Sequence, residues 1–278
     1  MLRGFYSAAA GMFAQQRRTE MLTNNIANAN TPGYKVDQGS LRAFPEMLMQ
    51  RLEGVQSPAK NGGSLRTASR IGGLNTGVYM QEMIPLFKQG DIRETGLRAD
   101  VALVNGNLPI NAETNKPGSV FFTVQNANGD VRYTRNGNFT VDPAGFLTTN
   151  EGFYVLDENG NRIALENDQF DVSADGSIIV NGQTQSRLGI AFSENPLNLI
   201  KEGNGLYRTN DGEVLPNAGA NPEVSYSLKQ GFLEGSNVDV SQAMTEMMTA
   251  YRTFEANQKV LQAYDKSMDK AVNEIGRL

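Results

Sequence analysis

Two short acidic stretches come nearest to catalytic or metal-binding chemistry. DENGN, from Asp157 to Asn161, opens like a calcium loop, in which alternate oxygen ligands close on a cation and a glycine at the sixth position permits the sharp turn. Arg162 stands where that glycine is needed and Asp168 where a bidentate glutamate is expected, so the stretch reads as a solvated hairpin turn. Asp175-Gly176-Ser177 has the triplet of an aspartic protease. One carboxylate, however, is not the dyad that shares a proton, and the triplet is a common turn. The pairs Gly62-Gly63 and Gly72-Gly73 lack the following lysine of a phosphate-cradling loop. The chain has no histidine and no cysteine, which removes Ser-His-Asp and Cys-His nucleophiles, disulfides and the usual zinc ligand sets. The expectation is a protein that is not an enzyme, with no metal site and no cofactor.

Charge narrows the partners further. The 278 residues carry a net charge of -5, and lysine and arginine are scattered, so no patch would neutralise a phosphate backbone and nucleic acid is not an expected partner. No apolar run approaches the roughly 18 residues of a spanning helix, so no integral membrane segment is expected. The opening MLRGFYSAAAGMFAQQRR imitates a secretory signal, but Ser7 and Gly11 break its apolar stretch and its helical pattern runs on past any cleavage point.

That pattern is the first element the sequence demands. Leu2, Phe5, Ala9, Met12, Gln16, Thr19, Leu22 and Ile26 recur at steps of three and four, the stripe of one long helix. At the other end, Ser236 or Asp239 can cap a second helix whose stripe reads Val240, Met244, Met247, Tyr251, Phe254, Leu261, Tyr264, Met268, Ala271, Ile275 and Leu278, broken only at Asn257 and Gln258. Sustained alternation of threes and fours favours a coiled-coil seam, though two helices covering a central domain would show the same pattern. From Val120 to Ile190 the chain changes to short β-branched and aromatic runs between turn pairs such as Asn128-Gly129, Asn159-Gly160 and Asn181-Gly182. Asn136-Gly137, between VRYTR and NFTV, suits a two-residue type I′ turn. The stretch from Asn61 to Gly77 reads as a long loop or extended arm. The fold class is α+β: paired N- and C-terminal helices forming a coiled-coil-like axial domain, with a central antiparallel β-rich domain. The expected divisions are 1-35 (helix and Asn-rich turn), 36-80 (arm), 81-230 (β-rich domain) and 231-278 (C-terminal helix).

Both ends carry long signatures. NNIANANTPGYK, from Asn24 to Lys35, and GFLEGSNVDVSQAMTEMMTAYRTFEANQKVLQAYDKSM, from Gly231 to Met268, resemble the N- and C-terminal signatures of the bacterial flagellar basal-body rod and hook proteins. QGDIRETGLRADVALVNG and YTRNGNFTVDPAGFLTTNEGFYV resemble the central region of the rod-type members, nearest the distal-rod type. Leu108 to Ser119 and the arm from Glu53 to Gly77 depart from the distal-rod pattern. The resemblance implies a structural subunit, assembled helically with copies of itself and other rod or hook subunits. It would be exported by the flagellar type III apparatus, reside in the basal body outside the cytoplasmic membrane, and transmit torque to the hook. The alternatives are a proximal-rod or hook subunit, or a secreted β-rich surface module. Expected subunit contacts are Asn24, Asn25, Ile26 and Asn28 with Val240, Met244, Met247, Tyr251, Phe254, Leu261, Tyr264 and Met268. Pro32 and Gly33 would end the helix and turn the chain, and Phe44 with Leu48, in FPEML, resembles the family's export-gate pattern. One helix pairing buries too little to order both ends, so their folding is expected to be coupled to assembly.

Overall fold

A computed structural model describes residues 2–56, 64–112, 114–165 and 169–275. The chain divides into two compact units, each assembled from separate stretches: residues 1–24, 38–83 and 241–278 in one, residues 25–37 and 84–240 in the other. It is α+β, with a helix at each end and a β-rich centre.

The first unit is built on two helices, α1 (Leu2–Ala27) and α2 (Val240–Lys270). No glycine or proline interrupts α2, so it runs straight through Asn257 and Gln258, where the sequence pattern predicts a break. The helices lie side by side and antiparallel. A side chain at Gly4 would strike Tyr264, one at Gly11 would strike Asn257, and Arg18 Nη2 lies 3.1 Å from Glu246 Oε2. The facing positions of α2 are Ala243, Met247, Ala250, Phe254, Asn257, Leu261, Tyr264 and Met268, all buried or half-buried at alternating steps of four and three. Val240, Met244 and Tyr251, which the sequence stripe includes, are exposed. On α1 the buried residues are Ala8, Ala14, Met21, Leu22 and Asn25, a set rotated from the predicted stripe because small residues permit the closest approach.

Four strands complete this unit: β1 (Asp37–Ala43), β2 (Met47–Gln56), β3 (Ser64–Leu74) and β4 (Val78–Pro85). β1 pairs with β4, and β2 pairs antiparallel with β3 from Met47↔Leu74 to Gln56↔Ser64. The expected arm is therefore a hairpin over Ser64–Leu74 rather than a loop, and its residues 57–63 lie outside the described residues. Ser7 Oγ of α1 donates to the Thr76 carbonyl at 3.4 Å, and Met21 and Met80 crowd the space over Gly39. This holds a second face of α1 against the ribbon.

The second unit carries the sheets. Its strands are β5 (Ile92–Glu94), β6 (Val101–Asn105), β7 (Ser119–Gln125), β8 (Val131–Thr134), β9 (Phe139–Val141), β10 (Leu147–Thr149), β11 (Tyr154–Val155), β12 (Asp171–Val172), β13 (Ser177–Val180), β14 (Gln183–Arg187), β15 (Ile190–Ser193), β16 (Leu199–Lys201), β17 (Leu206–Thr209), β18 (Tyr226–Gln230) and β19 (Phe232–Glu234). The main sheet runs β16-β17-β8-β7-β11-β10-β9, with β15 also on β7. The central strand β7 explains its own composition. Successive side chains of a strand point to opposite faces, and here Val120, Phe122 and Val124 enter a core with Leu103, Phe139, Ile178 and Ile190, while Phe121 joins Tyr133, Leu199 and Tyr207 on the other side. With both faces covered, SVFFTVQ is apolar nearly throughout.

One turn assignment comes out differently from the sequence reading. Asn136 and Gly137 do not form a type I′ turn, because neither has a positive φ and β8 and β9 are not neighbours. Instead Val101 N–H donates to the Gly137 carbonyl at 3.0 Å and Asn138 bridges to Asp100, drawing the chain across β6. The type I′ signature holds at Asn181-Gly182, with φ of 53° and 77° between β13 and β14.

Candidate interaction surfaces

The signatures from the two chain ends meet inside the second unit, around Glu234 at the end of β19. Glu234 Oε1 lies 2.6 Å from Lys35 Nζ, and Glu234 Oε2 lies 2.7 Å from Arg135 Nη2, all three side chains being 1% exposed or less. Gly90 N–H also donates to this carboxylate at 2.9 Å. The remaining donors are satisfied as burial requires: Lys35 Nζ reaches the Lys88 carbonyl at 2.9 Å, and the Arg135 guanidinium reaches the Val120 and Leu103 carbonyls and Asn105 Oδ1. Two cations thus share one carboxylate in a dry site. Burial pulls the Lys35 ammonium down to about 8, aided by Arg135 and opposed by Glu234. Burial alone would raise the Glu234 carboxyl, but Arg135 and Lys35 together hold it below its usual range.

Backbone links run beside this cluster. Gly33 N–H donates to the Glu234 carbonyl at 2.8 Å. Gly33 has φ +69°, and a side chain there would run into the Arg135–Asn136 peptide, so the position demands glycine both for conformation and for space. Asn237 accepts from Val36 N–H at 2.7 Å and donates to the Leu86 and Lys88 carbonyls. Asn237 thereby pins the C-terminal signature to the segment after Lys35.

The Asn-rich segment divides by environment. α1 stops at Ala27, and the turn that follows is closed by Thr31 N–H to the Asn28 carbonyl and Thr31 Oγ1 to Asn28 Oδ1, both 3.2 Å. The backbone reverses at Pro32-Gly33. Asn25 is buried: its Oδ1 accepts from Tyr34 Oη and Asp37 N–H, each at 3.0 Å, while its Nδ2 donates to the Asp37 carbonyl at 2.9 Å. Among the described residues both acceptor positions and one N–H of that amide are used within the chain, which makes Asn25 a clamp on the turn. Asn24 is exposed, and Ile26 and Asn28 are half-buried. Lys201 closes the outside of the turn, its ammonium 2.9 Å from Asp37 Oδ2 and 4.0 Å above the Tyr34 ring.

The first unit leaves apolar surface uncovered. Tyr6 and Phe13 of α1 and Met244, Met248 and Tyr251 of α2 are exposed, whereas Met247, Phe254, Leu261, Tyr264 and Met268 are half-buried along the helix contact. Phe44 lies between β1 and β2, stacked on Tyr79 with ring centroids 5.0 Å apart, and Leu48 belongs to β2. Lys35, Arg135 and Glu234 are not singled out by sequence reasoning. A lone glutamate closing GFLE, between apolar residues and a glycine, is the one available signal. No described helix is long and apolar enough to cross a membrane.

These terminal and central segments have counterparts among known proteins. Residues 5–35 match the family described as flagella basal body rod protein, residues 117–180 the flagellar hook protein FlgE/F/G D1 domain, and residues 229–274 the flagellar basal body rod FlgEFG protein C-terminal. The chain belongs to the flagellar basal-body rod and hook protein family, a family of structural proteins. It is 52% identical to the flagellar hook-basal body complex protein FlhO of Bacillus subtilis (strain 168) over the whole of both chains. It is 32% identical to the flagellar basal-body rod protein FlgG of the same strain, over 98% of this chain and 99% of that one, and 29% identical to the rod protein FlgF of Caulobacter vibrioides over the full length of both.

Proposed function

We propose that the protein is a structural subunit of the flagellar rod, exported through the type III apparatus and assembled helically into the drive shaft that passes torque to the hook. In this reading α1 and α2 pair as a coiled-coil-like axial domain around the central channel, the β-rich unit faces outward, and the protein performs no catalysis. The observation that carries it is the convergence of both family signatures on one buried ion cluster, Lys35–Glu234–Arg135, together with two long helices whose outward faces keep Tyr6, Phe13, Met244, Met248 and Tyr251 uncovered. Large apolar side chains left outside in this way mark surfaces that another protein covers. A heterologous contact that does not close on itself propagates as a filament. Val240, Met244, Tyr251 and Asn24 are the subunit contacts this reading favours, while Asn25 acts from inside by holding the turn.

Epitope labelling of the exposed turn at Asn159-Gly160 on purified hook-basal bodies, read by electron microscopy, tests the assignment. Label on the rod just below the hook supports the distal-rod position. Label nearer the membrane or along the hook selects a proximal-rod or hook subunit, and intact particles without label from secreting cells return the protein to the surface-module reading. For export, Phe44 is the residue to change: Phe44→Ala lowers secretion if FPEML addresses the gate, and secretion at the wild-type level removes that role.

A further inference from the structure

A cleft of about 650 Å³ opens on the first unit between α1 and the β1–β4 ribbon. From α1 it is lined by small Ala9, Ala10 and Ala14 and by the rings of Tyr6 and Phe13, and from the ribbon by Phe44, Val78 and Tyr79. Tyr6, Phe13, Phe44 and Val78 are all exposed, so the cleft stands open to solvent. The same chain presents a matching ridge. Val240, Met244, Met248 and Tyr251 form an exposed line along α2, on the flank beside the face that carries Ala243, Ala250 and Asn257, which the helix contact uses.

The ridge cannot fill the cleft of its own chain, because α2 is held on a different face of α1 by Gly4, Gly11 and Arg18. We propose that the occupant of the cleft is the α2 ridge of a second copy of this chain. The proposal rests on the rod-subunit reading and specifies its contact. A groove lined by alanines and aromatic rings admits unbranched methionines, which adapt to an irregular surface. The polar ends match as well. Arg17 closes the cleft at the C-terminal end of the α1 stretch, Glu255 follows Tyr251 one turn along the ridge, and neither makes an ion pair among the described residues. Seating Glu255 against Arg17 sets the direction: the incoming α2 runs parallel to α1, with Met248 and Tyr251 beside Phe13 and Met244 towards Tyr6. The contact is heterologous, cleft to ridge, so each added copy presents a fresh cleft or ridge to the next.

The absence of native cysteine makes the test clean. Phe13→Cys and Met248→Cys are placed in one chain, expressed in cells lacking the wild-type copy, and the isolated basal bodies are oxidised. A disulfide-linked ladder from the double variant, with monomers from either single variant, is the expected result. Particles that contain the double variant but give no ladder overturn the cleft-to-ridge contact while leaving the rod assignment standing. Particles that never contain the protein, though the wild-type chain is equally absent from them, overturn both. A disulfide formed by Phe13→Cys alone to another protein's thiol assigns the cleft to a different subunit and overturns the second-copy occupant. Should the cysteines themselves prevent incorporation, charge exchange decides: Arg17→Glu loses incorporation and Arg17→Glu with Glu255→Arg regains it, whereas a double variant as defective as the single one rejects the pairing.

Discussion

Glu234 is the residue whose removal should cost this protein most. Its carboxylate neutralises one of two buried cations and hydrogen-bonds both, so Glu234→Gln leaves Lys35 and Arg135 facing each other without an anion. Losing one partner of a buried ion pair costs about 3–5 kcal/mol. Urea unfolding of the Glu234→Gln monomer should show a loss of that size, and a loss under about 1 kcal/mol, as for an exposed pair, would contradict the geometry. Lys35 has the opposite sign. Its folded pKa of about 8 lies below its ordinary 10.5, so above pH 8 the unfolded chain holds more protons than the folded one and stability rises with pH. The rise ends near pH 10. There Tyr34 and Tyr207, whose hydroxyls burial pushes up from 10.0, begin to lose their contribution. Towards acid, the lowered Glu234 carboxyl works in the usual carboxylate sense, its contribution full above its ordinary 4.5 and lost as the pH falls through its folded value. Lys35→Met should flatten the alkaline rise and shrink the acid limb to the part that Arg135 and Gly90 sustain; an unchanged alkaline limb would mean that Lys35 is not the titrating group. None of this was legible in the sequence, because a charge announces burial only through its neighbours in space, and Arg135 and Glu234 are 99 residues apart.

Helix existence at both ends was plain from periodicity, and so was much of the face α2 buries, since Met247, Phe254, Leu261, Tyr264 and Met268 of its stripe lie in the contact; the face of α1 and the exposure of Val240, Met244 and Tyr251 were not. Hydrophobic patterning finds large apolar residues, whereas the closest approach of α1 and α2 falls where side chains are small, at Gly4 and Gly11 on α1 and at Ala243 and Ala250 on α2. Asn257, which looked like a break in the stripe, is a seam residue packed on Gly11. The strands were legible where one face is buried, as at Ile178 and Val180, and the failed hairpin at Asn136-Gly137 fell where β6 and Arg135 supply pairing that no local pattern encodes. The seam makes its own prediction. A single methyl at Gly11 would meet only the amide tip of Asn257, at 2.9 Å, which can swing away, and alanine gains roughly 1 kcal/mol of helix propensity over glycine. Gly11→Ala should therefore be incorporated into basal bodies as well as wild type. Gly11→Leu must push α2 off, at about 1–3 kcal/mol for overpacking, and should be lost from them. Equal incorporation of the two variants would mean that the helices do not approach at Gly11 in the assembled state.

At the scale of the whole chain, the two units differ in what sustains them. The β-rich unit encloses its own core, with Phe121, Phe122, Leu103 and Ile178 fully buried on either side of β7. The helical unit closes over alanines and glycines, only half-buries Met247, Phe254, Tyr264 and Met268, and leaves Tyr6, Phe13, Met244, Met248 and Tyr251 outside, so it removes little apolar surface from water for the number of residues it orders. Helices in that position depend on tertiary burial more than on propensity, and a unit short of buried contacts opens at low free energy. Amide hydrogen exchange of the dilute monomer should therefore show fast exchange through residues 4–24 and 241–270 against slow exchange in β7 and β15, and the same helices should become protected in purified basal bodies. Covering Tyr6, Phe13, Met248 and Tyr251 is what adds the missing burial, so the gain should be greatest in the turns that carry them. Terminal helices already as protected in the monomer as β7 would mean that the helical unit is self-sufficient. Assembly would then join rigid parts rather than complete their folding.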